Sequence, residues 1–199
     1  MKLYYSTGTC SLAANIALRE AGIQFVMAKV DRRTKRVDGM DFMTINPKGY
    51  VPALELDDGQ VLTENVVVLQ YIADLNPAAK LLPPAGTLAR YRVQEWLSYI
   101  NSELHKSFSP LFSSEATDEM KTYSRSYLAK RLGYVEGALG DNRYLMGDQF
   151  TVADTYLFAV LRWGAFVDVE IGSRLQSYVD GVRVRPHVIE AMNAEGLKK

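Results

Sequence analysis

Apolar and polar positions follow two different rhythms on either side of residue 80. In the first half, short strand-like runs alternate with stretches of helical spacing. Lys2–Tyr5 predicts a strand that runs into the turn-prone Ser6-Thr7-Gly8-Thr9. Residues 11–21 carry Leu12 and Ile16 at helical spacing before Gly22, which suits the left-handed stop of a helix. Residues 24–30 are rich in β-formers and predict a second strand, whereas 31–47 are polar and irregular, with room for one short helix. Residues 53–56 and 60–62 flank Asp57-Asp58-Gly59 and so predict a hairpin. Thr63 precedes a helical run through Val66, Leu69 and Ile72 that ends at Asn76-Pro77. This order describes an α/β unit with one hairpin edge.

Beyond it the pattern is helical throughout. Asn76-Pro77 to Leu82-Pro83-Pro84-Ala85-Gly86 cannot continue a helix and reads as a linker. Apolar residues at helical spacing then predict helices over 87–109, 118–139, 151–166 and 186–194. Thr87 and Thr117 stand where N-caps belong, with Asp118-Glu119 in the opening turn of the second helix. Thr151-Val-Ala-Asp154 has capping-box spacing, and Pro186 fits a first helical turn. The predicted division is residues 1–79, a linker at 80–86, and an all-helical unit over 87–199.

Composition narrows the class. The chain has 199 residues, with 23 Lys+Arg balancing 23 Asp+Glu, so electrostatic capture of nucleic acid or acidic membrane is not expected. One cysteine excludes an intrachain disulfide and a multi-Cys zinc site, and no metal is called for. No run approaches eighteen apolar residues, and the N-terminus is too polar for a secretory signal. The expectation is a cytoplasmic, soluble enzyme.

Five features carry candidate chemistry. Cys10 follows a strand and a Gly-containing turn at a predicted helix start, where free N–H groups favour a thiolate; a lone Cys is equally a small buried hydrophobe. With Ser11-Leu12-Ala13 after it there is no dithiol, so any thiol chemistry takes its second sulfur from outside. Val51-Pro52 precedes a strand, either as an edge terminator or, with a cis bond, offering the backbone of Val51 to an extended ligand. Thr63-Glu64-Asn65 opens a helix, where a carboxylate could dock and Glu64 could accept from an ammonium, or where Thr63 or Asn65 simply caps. Arg32-Arg33-Thr34-Lys35-Arg36 is a solvated run or a source of one ligand-binding cation. Ser98, Ser102, His105 and Ser109 recur at i, i+4, i+7 and i+11, a wet helix face or a ligand-facing wall.

Together these residues resemble a glutathione S-transferase, most closely the bacterial beta class with an active-site cysteine. The carriers are Lys2-Leu-Tyr-Tyr with Gly8 and Cys10-Ser-Leu, Asn46-Pro-Lys-Gly with Val51-Pro52-Ala-Leu, and Leu62-Thr-Glu64. Glu103-Leu-His105-Lys106, Phe150-Thr-Val-Ala-Asp154, Arg185-Pro186 and Ala194-Glu-Gly-Leu197 complete the set. The resemblance implies a thioredoxin-like domain followed by an all-helical domain, a homodimer, glutathione as co-substrate and no tightly bound cofactor.

It also implies roles for individual residues. Cys10 lies beside the glutathione sulfur, and Val51, before a cis Pro52, pairs with the cysteinyl backbone. Glu64 and Asn65 hold the γ-glutamyl end, and Lys35 answers the glycyl carboxylate. His105 and Lys106 approach the thiol, with Ser98, Ser102, Glu103 and Leu104 as neighbouring contacts. Tyr5 and Ser11 are supporting. Phe108, Phe112 and Trp163 line an apolar electrophile pocket. Asn65 and Ser98 depart from the small residue and the Asn usual there. The implied activity is conjugation of the glutathione thiolate to soft electrophiles. The alternatives are thiol-disulfide or peroxide reduction through a Cys10 mixed disulfide, and a non-catalytic ligand-binding protein.

Overall fold

In the computed structural model, which describes residues 1–197, strand β1 (Lys2–Tyr5) pairs in parallel with β2 (Val26–Lys29) and antiparallel with β5 (Ala53–Glu55). β5 turns back as a hairpin onto β6 (Val61–Thr63), which gives the sheet order β2-β1-β5-β6. The period of two separates the faces. Leu3 opposite Leu54 joins the core with helices α1 (Ser11–Glu20) and α2 (Asn65–Leu75), while Tyr4, Ala28 and Ala53 pack on the other face with Val37 and Phe42.

The segment expected to be irregular holds a two-residue hairpin, β3 (Arg36–Val37) with β4 (Met40–Asp41), and a single 3-10 turn at Phe42–Thr44. Strands this short carry no readable periodicity. The linker is a 3-10 turn (Pro77–Ala79) followed by Leu81 and Leu82, both buried, and Leu81 C=O accepts the Val152 N–H at 3.0 Å. It is stitched into the core rather than a loose tether.

The helical half comprises α3 (Leu88–Tyr99), a π-helical segment (Ile100–His105), α4 (Lys106–Phe112), α5 (Asp118–Leu139), α6 (Val152–Leu161), a 3-10 segment (Arg162–Phe166), α7 (Ser173–Arg183) and α8 (Pro186–Ala194). The continuous helix predicted over 87–109 is therefore broken by a π segment, and 151–166 tightens to 3-10 after Leu161. Helix α7 was not predicted, although Leu175, Tyr178, Val179 and Val182 are spaced for one and are all buried. Thr87 and Thr117 cap α3 and α5 by accepting from the N–H groups of Arg90 and Met120.

Helix α6 is buried along its whole length, which its apolar sequence requires. Its start is closed by a capping box in which Asp154 accepts from the Thr151 N–H at 2.9 Å and also from Leu145 N–H and the Tyr178 hydroxyl. The alanines of α1, at positions 13, 14 and 17, let it lie close between α2, α6 and α8. Two bidentate ion pairs, Arg185 with Glu20 and Arg90 with Asp74, fasten the halves at their edges. No helix among the described residues is long and apolar enough to cross a membrane.

Candidate active site

The turn after β1 is built by short hydroxyl side chains. Thr9 and Ser11 both donate to Ser6 C=O, at 2.8 and 3.3 Å, and Ser6 N–H donates to Ser11 Oγ at 3.2 Å. Ser11 is thus a fastener of the turn. Gly8 has φ +72° and is gripped from the helical half: its N–H donates to Glu195 at 2.9 Å and its carbonyl accepts from the Trp163 indole at 2.9 Å. Tyr5 is a core residue whose hydroxyl pKa is raised by burial, and it does not line the cleft.

The turn delivers Cys10 to the position preceding α1, where its thiol donates to Val51 C=O at 3.2 Å. The sequence predicts a thiolate favoured by the helix start. Instead burial pushes the thiol up to about 12, outweighing the nearby N–H groups, Lys106 and Arg32, which all pull it down. Cys10 is 8% exposed, so the hydration a thiolate would lose outweighs the attraction of the helix start.

Val51-Pro52 is a cis peptide, and Val51 N–H has no acceptor among the described residues. Pro52 is buried behind it. Lys35, at φ +54°, crosses to donate to Gly49 C=O at 2.9 Å and lines the same cleft. Glu64 precedes α2 with φ +69° and pairs with Lys48 at 2.7 Å on the surface. Asn65 is 6% exposed, and its amide oxygen and nitrogen both lack a hydrogen-bond partner among the described residues. Neither Thr63 nor Asn65 caps α2 through its side chain.

Cys10, Val51 and Lys35 line one wall of a cleft of about 680 Å³ between the halves, whereas Pro52, Glu64 and Asn65 lie outside its lining. The facing wall is aromatic. Trp163 packs edge-on against His105, Phe108 and Phe112, with ring centroids 4.8, 5.7 and 6.1 Å away. His105 closes the π segment, its Nδ1 lies 2.6 Å from the Tyr156 hydroxyl, and burial with help from Lys106 pushes its pKa down to about 4. The ring is therefore neutral at physiological pH. Lys106 is exposed and lies over the Tyr50 ring from above, as Lys35 does from the other half.

The predicted polar stripe is divided. His105 and Ser109 line the cleft, but Ser98 and Ser102 are exposed outside it, and Ser102 spends its hydroxyl on Ser98 C=O. The π segment rephases the helix between them, so a wheel drawn at 3.6 residues per turn misplaces its first half. Glu103 is engaged with the Tyr127 hydroxyl and Arg131 at 2.6 and 2.8 Å, and Leu104 is fully buried; the structure brings neither to the cleft. Sequence reading missed Tyr50, Arg162 and Phe166 on the cleft lining and Tyr156 behind His105, and it left Arg32 as one of several candidate cations in its run. Tyr156 looks like core in an apolar helix, and only the tertiary contact exposes its polar end.

A thioredoxin-like sheet and an all-helical half enclosing a thiol, an open backbone edge and an aromatic wall define a two-domain thiol-handling transferase. The sequence agrees: residues 7–75 match the glutathione S-transferase N-terminal domain and 99–184 the C-terminal domain. The chain belongs to the glutathione S-transferase family. It is 46% identical to glutathione S-transferase GstA of Escherichia coli O157:H7, over the full length of both chains. Among solved structures, a sphingomonad glutathione S-transferase complexed with glutathione superposes with a TM-score of 0.95 at 44% identity, covering both chains completely. The beta-class enzyme of Sphingomonas chungbukensis gives 0.95 at 46%, again over both full chains.

Proposed function

We propose that the protein binds glutathione along the polar wall of the cleft and transfers its thiolate to soft, apolar electrophiles held against the aromatic wall. The observation that carries this reading is the juxtaposition in one cleft of Cys10, Lys35 and the unpaired Val51 N–H with Phe108, Phe112 and Trp163. An extended peptide pairs with the Val51 backbone as a strand does with a sheet edge. Lys35 supplies the charge for the glycyl carboxylate, and Glu64 accepts from the γ-glutamyl ammonium with Asn65 beside it. Pro52 holds the Val51 edge from behind. Cys10 lies next to the sulfur, and His105 and Lys106 face it from the helical half. Ser98, Ser102, Glu103 and Leu104 stay outside this contact set.

Residues 1–79 then form the glutathione-binding unit, 80–86 the linker, and 87–199 the unit that receives the electrophile. A homodimer working in the cytoplasm completes the proposal. Exposed Tyr134 on α5, packed against Trp96 and Tyr99 of α3, offers an apolar face suited to a second copy.

The test is a conjugation assay with chlorodinitrobenzene on wild type and Cys10→Ala, alongside intact mass after incubation with oxidised glutathione. Conjugation that partly survives Cys10→Ala supports the reading. A reducible adduct of one glutathione, with thiol transfer that vanishes in Cys10→Ala and no conjugation, would favour reduction through a mixed disulfide. Neither activity would leave a ligand-binding protein.

A further inference from the structure

The Tyr156 hydroxyl has one proton and two hydrogen-bond partners, Asn101 Oδ1 at 3.0 Å and His105 Nδ1 at 2.6 Å, with the buried Asn65 amide nitrogen, which can only donate to its oxygen, beyond them. A carbonyl oxygen can only accept, so both contacts are hydrogen bonds at once only when the hydroxyl proton goes to Asn101. The 2.6 Å contact is then a hydrogen bond only if Nδ1 carries the proton and the hydroxyl oxygen accepts it. Tyr156 is fully buried on α6. Asn101 and His105 both come from the π segment, whose wider turn brings two side chains four residues apart to the same hydroxyl. Edge-on packing against Trp163 fixes the imidazole in the remaining direction. His105 Nε2 has no partner among the described residues, and the ring lines the cleft with Cys10.

We propose that Tyr156, aligned by Asn101, is a positioning residue that holds His105 as its Nδ1–H tautomer, so that Nε2 meets the glutathione thiol as a bare lone pair and accepts its proton. This rests on the glutathione-transfer reading and assigns the proton step within it. The S–H bond breaks, its electron pair stays on sulfur, and the proton moves to Nε2, leaving a thiolate beside an imidazolium, an ion pair whose mutual attraction offsets the burial that keeps the ring neutral when the cleft is empty. Nδ1 keeps its hydrogen and Tyr156 Oη accepts from it before and after. The thiolate attacks the electrophile, the leaving group departs with its bonding pair, and the imidazolium returns its proton to solvent. The hydroxyl oxygen here does what a carboxylate does behind the histidine of a hydrolase triad: it fixes the tautomer and steadies the cation. A neutral hydroxyl does so more weakly, so the benefit lies in orientation more than in charge.

The chain contains two histidines, which makes the test direct. Histidine ring nitrogens are read by long-range proton–nitrogen spectra of labelled protein, with His187→Gln assigning the second ring. We expect His105 to give a proton-bearing Nδ1 and a pyridine-type Nε2 in the wild type. Tyr156→Phe should populate the Nε2–H form and lower kcat for chlorodinitrobenzene about tenfold, with the KM for glutathione changed less than twofold. A wild-type Nε2–H tautomer, the state reached if the Asn101 amide is turned so that its nitrogen donates to Tyr156, would overturn the proposal. So would an unchanged tautomer in Tyr156→Phe. The wild-type spectrum decides the assignment even if that variant does not fold. Absence of conjugation in the wild type sinks the transfer reading instead, and the spectrum then still decides the tautomer.

Discussion

The two walls of the cleft are made by different physics. The wall from the first half is largely backbone and short polar side chains: a hydroxyl-laced turn at Ser6–Ser11 and the Val51 edge. The wall from the helical half is four rings in edge-on contact, carried by helices whose own buried faces fix their spacing. Hydrogen-bonding edges reject a ligand that lacks the matching group, since the site's own polar atoms are left unpaired. Apolar walls discriminate by little more than size. On the proposed reading, one side of the cleft recognises a constant peptide and the other tolerates varied electrophiles.

The comparison can be broken first where the aromatic wall is anchored. Asp154→Ala removes the acceptor for Leu145 N–H, Thr151 N–H and the Tyr178 hydroxyl at the buried start of α6. The expected loss is about 3–5 kcal/mol of stability, read as a shift of the urea midpoint. A loss under 1 kcal/mol would mean that α6 is seated by its apolar contacts alone.

Acid probes the same wall through His105. Buried and neutral, it resists protonation until about pH 4, whereas the unfolded chain takes up that proton near 6.5. Between these values the unfolded state binds more protons, so stability falls as pH drops from 6.5 to 4, by up to about 3 kcal/mol from this residue. Melting curves of wild type and His105→Gln across that range should converge at low pH, and parallel curves would contradict the burial argument.

On the polar wall, Glu64→Ala should raise the KM for glutathione about tenfold, the effect of losing one charge-assisted hydrogen bond, and leave the electrophile KM alone. Phe112→Ala should do the reverse more gently, raising the electrophile KM about threefold with glutathione unaffected, as for an exposed apolar contact. A Phe112 variant that weakens glutathione binding would blur the division of labour. The smallest effect belongs to Ser102→Ala. Outside the cleft and bonded only to its own helix, it should change stability by less than about 0.5 kcal/mol and glutathione affinity not at all.

Much of the frame is legible along the chain. The sheet's alternation at Leu3-Tyr4, the Asp-Gly hairpin, the Thr87 and Thr117 caps and the Thr151–Asp154 box are local effects, in which a residue's own backbone preference or a neighbour three positions away decides the outcome. Cys10, Val51 and His105 were picked out by their places in that frame and Lys35 by the resemblance to the transferase family, and all four line one cleft. What failed depended on distance in space. The phase of the helix after Ser98 was set by a π segment that no pattern of 3.6 announces. The state of Cys10 was set by burial and not by the helix start beside it, because desolvation is summed over everything packed around the sulfur.

The sequence by itself determined the elements, their caps and the types of group that surround the cleft, since those follow from interactions among near neighbours. Only the tertiary structure decided which atoms those groups spend on each other. Gly8 held by Glu195 and Trp163, and His105 by Tyr156, join residues dozens to nearly two hundred positions apart. The protonation and tautomer of a side chain depend on such partners and on exclusion from water, and neither is a property of the chain until it has folded.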